Sequence, residues 1–366
     1  MIIGDNMKKK PNYRLRRIVA LIIIILIILV PIIIANRNSI SHIPTKIKYR
    51  DYSNIVNSLY DSKFNNSDVK SIMEILKKEK KLNEIRYDYI ATLNEKGYSK
   101  ETIYYLLVNL TKSELTKLVG KKYDSDLEEY IKIEKFDYSK YERYIAYQKK
   151  NPKVSKEDII LRIELKIDLD NYDDPVEETN PDSLLAYINK HRYINKDYEP
   201  SDLVEMDDKY SNNYYGVNKL RSEAYEHFKE MVDDANKVGI EFVADTTYRS
   251  FDTQESIYNN YAYEHTREET DLYAARPGYS EHELGTAIDV SNVWYIEEGD
   301  EEYEWIRKNC YKYGFIMRYK KGKEDITKYA AEDWHIRYVG VKTATMIHNK
   351  GITFDEYWIK YVKKDN

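Results

Sequence analysis

The stretch "SEHELGTAIDV" (residues 280–290) sets two metal-ligand side chains, His282 and Asp289, around a glycine in a chain with only 7 histidines among 366 residues. It admits two readings, a turn that feeds a strand or one half of a metal site, and the same local geometry serves both. Gly285 can take a positive φ or allow a close backbone approach. "TAIDV" (286–290) reads as a strand, whose period of two puts Ala287 and Asp289 on one face. Ala287 leaves room there and Asp289 reaches in.

A catalytic zinc takes three protein ligands and keeps one position open, so a third ligand must come from elsewhere. The best candidate lies in "AEDWHIRYVG" (331–340), where His335 leads into a strand-like run and Glu332 precedes it by three residues. A carboxylate that is not itself a ligand is what a zinc hydrolase needs beside the metal. It takes a proton from the attacking water and passes it to the leaving amine. "IEFVADTTYRS" (240–250) alternates like a strand and ends at Arg249, a cation placed where negative charge would develop on a carbonyl oxygen. His42, His191, His227, His265 and His348 have no comparable surroundings.

Taken together, these residues match a pattern. Ser280-x-His282-x-x-Gly285-x-Ala287-x-Asp289 resembles the S-x-H-x-x-G-x-A-x-D signature of VanY-like D-alanyl-D-alanine carboxypeptidases. "YRSFDTQ" (248–254), "AARPGYSEH" (274–282), "YGFIMRYKKGKEDIT" (313–327) and "EDWHIRYVG" (332–340) are similar to that family in its order, and "NKHRYINKDYEPSDLV" (189–204) resembles its entry segment. The resemblance implies an α+β fold, a small zinc-peptidase domain with a central antiparallel sheet, as in the lysostaphin, D-Ala-D-Ala peptidase and hedgehog group. It implies one zinc ion held by His282, Asp289 and His335. Glu332 would be general base and then acid, and Arg249 would stabilise the oxyanion. Gln254 and Ser280 would help hold the peptide, and Trp334 would shape the pocket beside the metal. The implied substrates are peptidoglycan stem peptides that end in D-alanine. An L,D-carboxypeptidase, a peptidoglycan endopeptidase and a zinc-stabilised binding or signalling domain without turnover are the alternatives. Two departures stand out: Thr246-Thr247 replaces a common Ser-Gly, and Asp333 replaces a usual proline. An extra carboxylate at 333 is expected to raise the pKa of the base or loosen its turn.

The rest of the chain divides by composition. A basic tail (1–17) contains "KKKPNYRLRR" (8–17) and is followed by the uncharged run "IVALIIIILIILVPIIIA" (18–35). As a helix that run spans ~27 Å, close to the hydrocarbon thickness of a bilayer. The basic side faces the cytoplasm, so 18–35 reads as a single-pass transmembrane anchor in the cell membrane with a cytoplasmic N-terminus. A cleaved signal peptide is the rival, but the run is long and no small-x-small cleavage site follows it. Residues 36–180 read as a mainly helical extracytoplasmic region, a spacer, a docking surface for a protein partner or a wall-binding module. "SDVKSIMEILKKEKKLNEI" (67–85) spaces Val69, Ile72, Ile75 and Leu76 three and four apart. Ser99 and Ser155 open similar Ser-Lys-Glu-x-Ile helix starts as N-caps. The proline- and acid-rich "DDPVEETNPDS" (173–183) marks a boundary, which leaves 181–366 as the peptidase-like domain. The net charge of -5 and the absence of an extended basic patch after residue 40 argue against nucleic acid as main partner. A single cysteine, Cys310, excludes a disulfide framework.

Overall fold

The computed structural model describes residues 49–78, 87–213, 216–292 and 296–363. The expected tail and membrane span (1–35) lie outside them, and no helix among the described residues is long and apolar enough to cross a membrane. The chain divides into two compact units, 1–141 and 142–366.

The first unit is helical: α1 (Tyr49–Asp61), α2 (Asn66–Lys78), α3 (Tyr87–Lys96), α4 (Lys100–Asn109), α5 (Lys112–Gly120) and α6 (Ser125–Tyr130). Each carries apolar residues at helical spacing and buries that stripe: Ile55 and Leu59, then Val69, Ile72 and Leu76, then Ile103, Leu106 and Leu107. Ser99 caps α4 by accepting from the Thr102 N–H. Thr111 and Glu114 form a reciprocal capping box on α5.

The second unit opens with α7 (Tyr141–Lys150) and α8 (Lys156–Glu164), the latter capped by Ser155 as the sequence suggests. Leu161, Leu165 and Ile167 are buried in one apolar cluster with Ile316, Val339, Phe354 and Trp358. The chain from 142 to 180 therefore belongs with the second unit, and the acidic stretch at 173–183 is a loop within it rather than its edge. Short β1 (Val176–Glu177) and β2 (Arg192–Tyr193) pair in parallel. β3 (Leu203–Glu205) and β4 (Lys219–Arg221) pair antiparallel.

Next come α9 (Ser222–Asn236), β5 (Val243–Thr246), α10 (Phe251–Glu264), α11 (Arg267–Tyr273), β6 (Ala287–Ser291), α12 (Glu301–Asn309), β7 (Phe315–Tyr319), β8 (Glu332–Tyr338), α13 (Val341–Lys350) and α14 (Phe354–Tyr357). The strands β5, β6, β8 and β7, in that spatial order, form a four-stranded sheet, antiparallel throughout. Alternation along them sorts two faces. Ile288, Val290, Ile336, Tyr338, Phe315 and Met317 join Ala224, Phe228, Met231 and Ala235 of α9 in the main apolar core. Asp289, His335, Arg337 and Arg318, of the opposite parity, are also buried. The second face is thus a buried polar layer.

Two glycines permit the turns around this sheet. Gly285, at φ +63, leads into β6, and a Cβ there would stand 2.8 Å from Leu203 Cδ2. Gly314, at φ +85, leads into β7, and a Cβ there would meet Tyr338 Cε2 at 2.5 Å and the Val341 backbone nitrogen at 3.0 Å. Both substitutions carry the left-handed backbone cost, but only the second also meets a backbone that cannot swing aside. Urea denaturation should show Gly285→Ala destabilised by about 1–2 kcal/mol and Gly314→Ala by about 2–4 kcal/mol.

Candidate metal centre and active site

The centre is built on one pairing. Asp289 of β6 lies directly opposite His335 of β8, and Asp289 Oδ1 is 3.1 Å from His335 Nδ1. His282 arrives from a single 3-10 turn, Glu281–Leu284, which Gly285 ends in the left-handed conformation. Its Nδ1 lies 2.6 Å from the Thr247 carbonyl oxygen, which accepts the ring N–H. That hydrogen bond leaves Nε2 unprotonated and 3.3 Å from Asp289 Oδ2. One ligand atom from each of His282, Asp289 and His335 falls within 4.8 Å of the others, and all three residues are buried.

This set fits a zinc ion. Two imidazoles and one carboxylate are suitable donors, and Asp289 Oδ1, which faces His335 Nδ1, is buried without a hydrogen-bond partner. Burial, aided by the Arg249 charge, pushes His282 down to about 4, which keeps it a neutral ligand. Burial favours protonation of Asp289, but His282, His335 and Arg249 overcome it and hold the carboxyl well below the usual range. Burial also opposes a charge on His335, yet Asp289, Glu281 and Glu332 together raise it to about 9, so the pocket favours a cation.

Glu332 is brought to the same place by an irregularity. It has the parity of Trp334 and Ile336, which face the apolar core. The pairing of β7 with β8 shifts register between Met317–Ile336 and Tyr319–Glu332. Such a bulge re-aims a side chain, and Glu332 Oε2 ends 3.4 Å from His335 Nδ1. Burial pushes its carboxyl up to about 7, with the Asp289 charge adding to the rise. A proton donor and acceptor poised near neutrality suits general acid–base chemistry. Asp333, expected to perturb it, turns away and accepts from the Glu298 N–H at 3.0 Å.

Arg249 donates to Asp289 Oδ2 at 2.8 Å and to Gln254 Oε1 at 3.4 Å. Gln254 is buried and gives its amide N–H to the Ala275 carbonyl at 2.8 Å, tying α10 to the loop before Ser280. Ser280 is buried too, and its backbone N–H donates to Glu283 Oε2 at 3.1 Å. Trp334 packs against the apolar core. Sequence reasoning missed the residues that brace the site. Glu283 accepts both the Gly278 and Ser280 N–H groups, Thr247 orients His282, and Glu281, Arg318, Arg337 and Asp355 lie buried behind His335. Arginines inside the apolar strands "FIMRY" and "HIRYV" were the available signal, since buried guanidinium groups require buried acids. Of the other described histidines, His227 stacks on Tyr338 and His348 on Tyr311.

Comparison with known proteins gives concordant matches. Residues 217–341 match the family model described as VanY, D-alanyl-D-alanine carboxypeptidase. The chain is 42% identical over 192 residues to "Putative carboxypeptidase YodJ" of Bacillus subtilis, across 50% of this chain and 70% of that protein. It is 34% identical over 188 residues to a D-alanyl-D-alanine carboxypeptidase of Enterococcus faecium, across 50% of this chain and 59% of that protein. A solved structure of the LdcB LD-carboxypeptidase shares 39% identity, covering 53% of this chain and 93% of that one, with a TM-score of 0.49. His282, Asp289, His335, Glu332 and Arg249 all fall inside the family-model match, whereas helices α1–α6 lie outside it.

Elemental analysis of the purified protein should find one zinc per chain. His282→Ala and His335→Ala should each fall well below that after dialysis, while circular dichroism still shows a folded chain.

Proposed function

The chain belongs to the VanY D-alanyl-D-alanine carboxypeptidase family, and on that premise we propose that it is a membrane-anchored D,D-carboxypeptidase that removes the terminal D-alanine of peptidoglycan stem peptides outside the cell membrane. The observation that carries the reading is the largely shielded Glu332 carboxyl beside the Asp289–His335 pair, with the Arg249 guanidinium on the Asp289 carboxylate. His282, Asp289 and His335 would hold a zinc ion, which would supply a water of lowered pKa and a Lewis acid for the scissile carbonyl.

The chain's own residues do the rest. Glu332, as carboxylate, takes the proton from the water whose oxygen forms the new bond to the carbonyl carbon. As carboxylic acid it then returns that proton to the amine nitrogen as the C–N bond breaks. A pKa near neutrality lets one group serve both steps. Arg249 brings a fixed positive charge to the site where the carbonyl oxygen becomes negative. Gln254, Ser280 and Glu283 shape the adjoining wall, through the Gln254–Ala275 bond and the Glu283 bonds to Gly278 and Ser280. The location outside the membrane rests on the basic tail and the apolar run 18–35.

The test is a product analysis. Muropeptides ending in D-Ala-D-Ala, in a single D-Ala, or cross-linked as dimers are incubated with the protein, with and without a chelator, and followed by mass spectrometry. Loss of one D-alanine from the pentapeptide alone is expected. Loss from the tetrapeptide moves the assignment to an L,D-carboxypeptidase, and cleavage of dimers alone to an endopeptidase. No product with zinc bound points to a binding domain. Glu332→Gln should lower kcat by about 10²–10⁴ while the zinc content stays unchanged.

A further inference from the structure

Glu281 stands between Ser280 and the ligand His282 and is fully buried, as are Arg318, Arg337 and Asp355. Its Oε1 accepts from Arg318 Nε at 2.9 Å and lies 3.1 Å from Arg337 Nη1. Arg318 in turn donates to Asp355 Oδ2 at 2.6 Å and to Oδ1 at 3.2 Å. The Tyr187 hydroxyl donates to Asp355 Oδ1 at 2.7 Å. Two guanidinium groups thus face two carboxylates, and the cluster closes neutral. Buried ion pairs of this kind are weak evidence of a stabilising role, which directs attention to what the cluster touches.

It touches His335. Glu281 Oε2 is buried without a hydrogen-bond partner, and so is His335 Nε2. The two atoms face each other at 3.6 Å. That is beyond hydrogen-bond length, yet an approach of about 0.5 Å would make the bond. An imidazole that gives one nitrogen to a metal carries its proton on the other, and a carboxylate accepting that proton fixes the tautomer and the ring's direction.

We propose that Glu281 is a positioning residue of the metal centre. With zinc bound, its Oε2 accepts the Nε2–H of His335, which directs Nδ1 toward Asp289 as the ligand atom. The chain Tyr187–Asp355–Arg318 holds Glu281 for this task. Tyr187 and Asp355 lie outside residues 217–341, so metal affinity depends on side chains beyond the matched family segment. His282 bonds through Nδ1–H to Thr247 and offers Nε2. The inference rests on the zinc site proposed above and not on which peptide bond is cut.

Two measurements on the full chain test it without using activity. In protein labelled with 15N at histidine, two-bond 1H–15N spectra of the zinc form should show one ligand histidine protonated at Nδ1 and the other, His335, protonated at Nε2. Coordination of both rings through Nε2 overturns the proposal. Competition with a chromophoric chelator should show zinc bound about 10–100-fold more weakly by folded Glu281→Gln. A purely structural role would lower the melting temperature of the zinc-free variant but leave its zinc affinity unchanged, and that outcome overturns the proposal as well. Should Glu281→Gln fail to fold, Tyr187→Phe, which removes only the hydroxyl that donates to Asp355, should weaken zinc binding in the same direction, and an unchanged affinity in that variant overturns the proposal. Failure of the unsubstituted protein to bind zinc would sink the metal site itself, a result distinct from either of these.

Discussion

The direct opposition of Asp289 and His335 across β6 and β8 is the constraint on which the rest of the second unit depends. A slip of one residue in either strand would turn its whole set of side chains to the other face. The register is held by the neighbours of those two residues. Ile288 pairs with Ile336, and both enter the core against α9. The same alternation that buries apolar surface on one face therefore sets the ligands on the other, and the metal centre and the core share one register. His282 needs only a short turn to join them, because Thr247, just past the end of β5, already stands where its ring N–H can be accepted.

A sheet with a buried polar face must answer for its charges. Arg318 and Arg337 lie on strands between apolar residues, completely shielded from water. Isolated, each would carry a large desolvation cost. Glu281 and Asp355 match them, and Arg337 also donates to the Leu184 and Ala186 carbonyls. Covering this layer takes more chain than the sheet itself supplies. Residues from α8, from 184–188 and from 354–359 close over it with Leu161, Tyr187, Phe354 and Trp358. This is why the compact unit begins at 142 rather than near 181. The break in composition at 173–183 reflects an exposed loop, and the apolar residues before it had already been committed to the same core.

The legible part of the sequence was the part with strict local geometry. The spacing of Ser280, His282, Gly285, Ala287 and Asp289 encodes a turn and a strand, and both are present. The Ser99 and Ser155 caps were readable for the same reason, since an N-cap is decided within three residues. What escaped depended on partners far away in the chain. Glu281 looks like one of many acidic residues until Arg318 and Arg337 are seen against it. Strand alternation would have sent Glu332 to the core, and only the register shift beside Tyr319 carries it to His335. Alternation did apply to Trp334, whose ring lies with the apolar cluster.

Two carboxyl groups in one pocket end with opposite protonation behaviour, and the difference follows from what each one touches. Asp289 has a guanidinium at 2.8 Å and an imidazole against each oxygen. These outweigh its burial, so it stays ionised and serves as a ligand. Glu332 lies 3.4 Å from His335 Nδ1 and also faces the negative charge of Asp289. Burial wins there, and its proton is held to near neutral pH. A shared environment that separates two like groups in this way divides a ligand from an acid–base catalyst. The division needs no difference in residue chemistry. It needs Arg249 on the side of Asp289 and a bulge that brings Glu332 in from the other side.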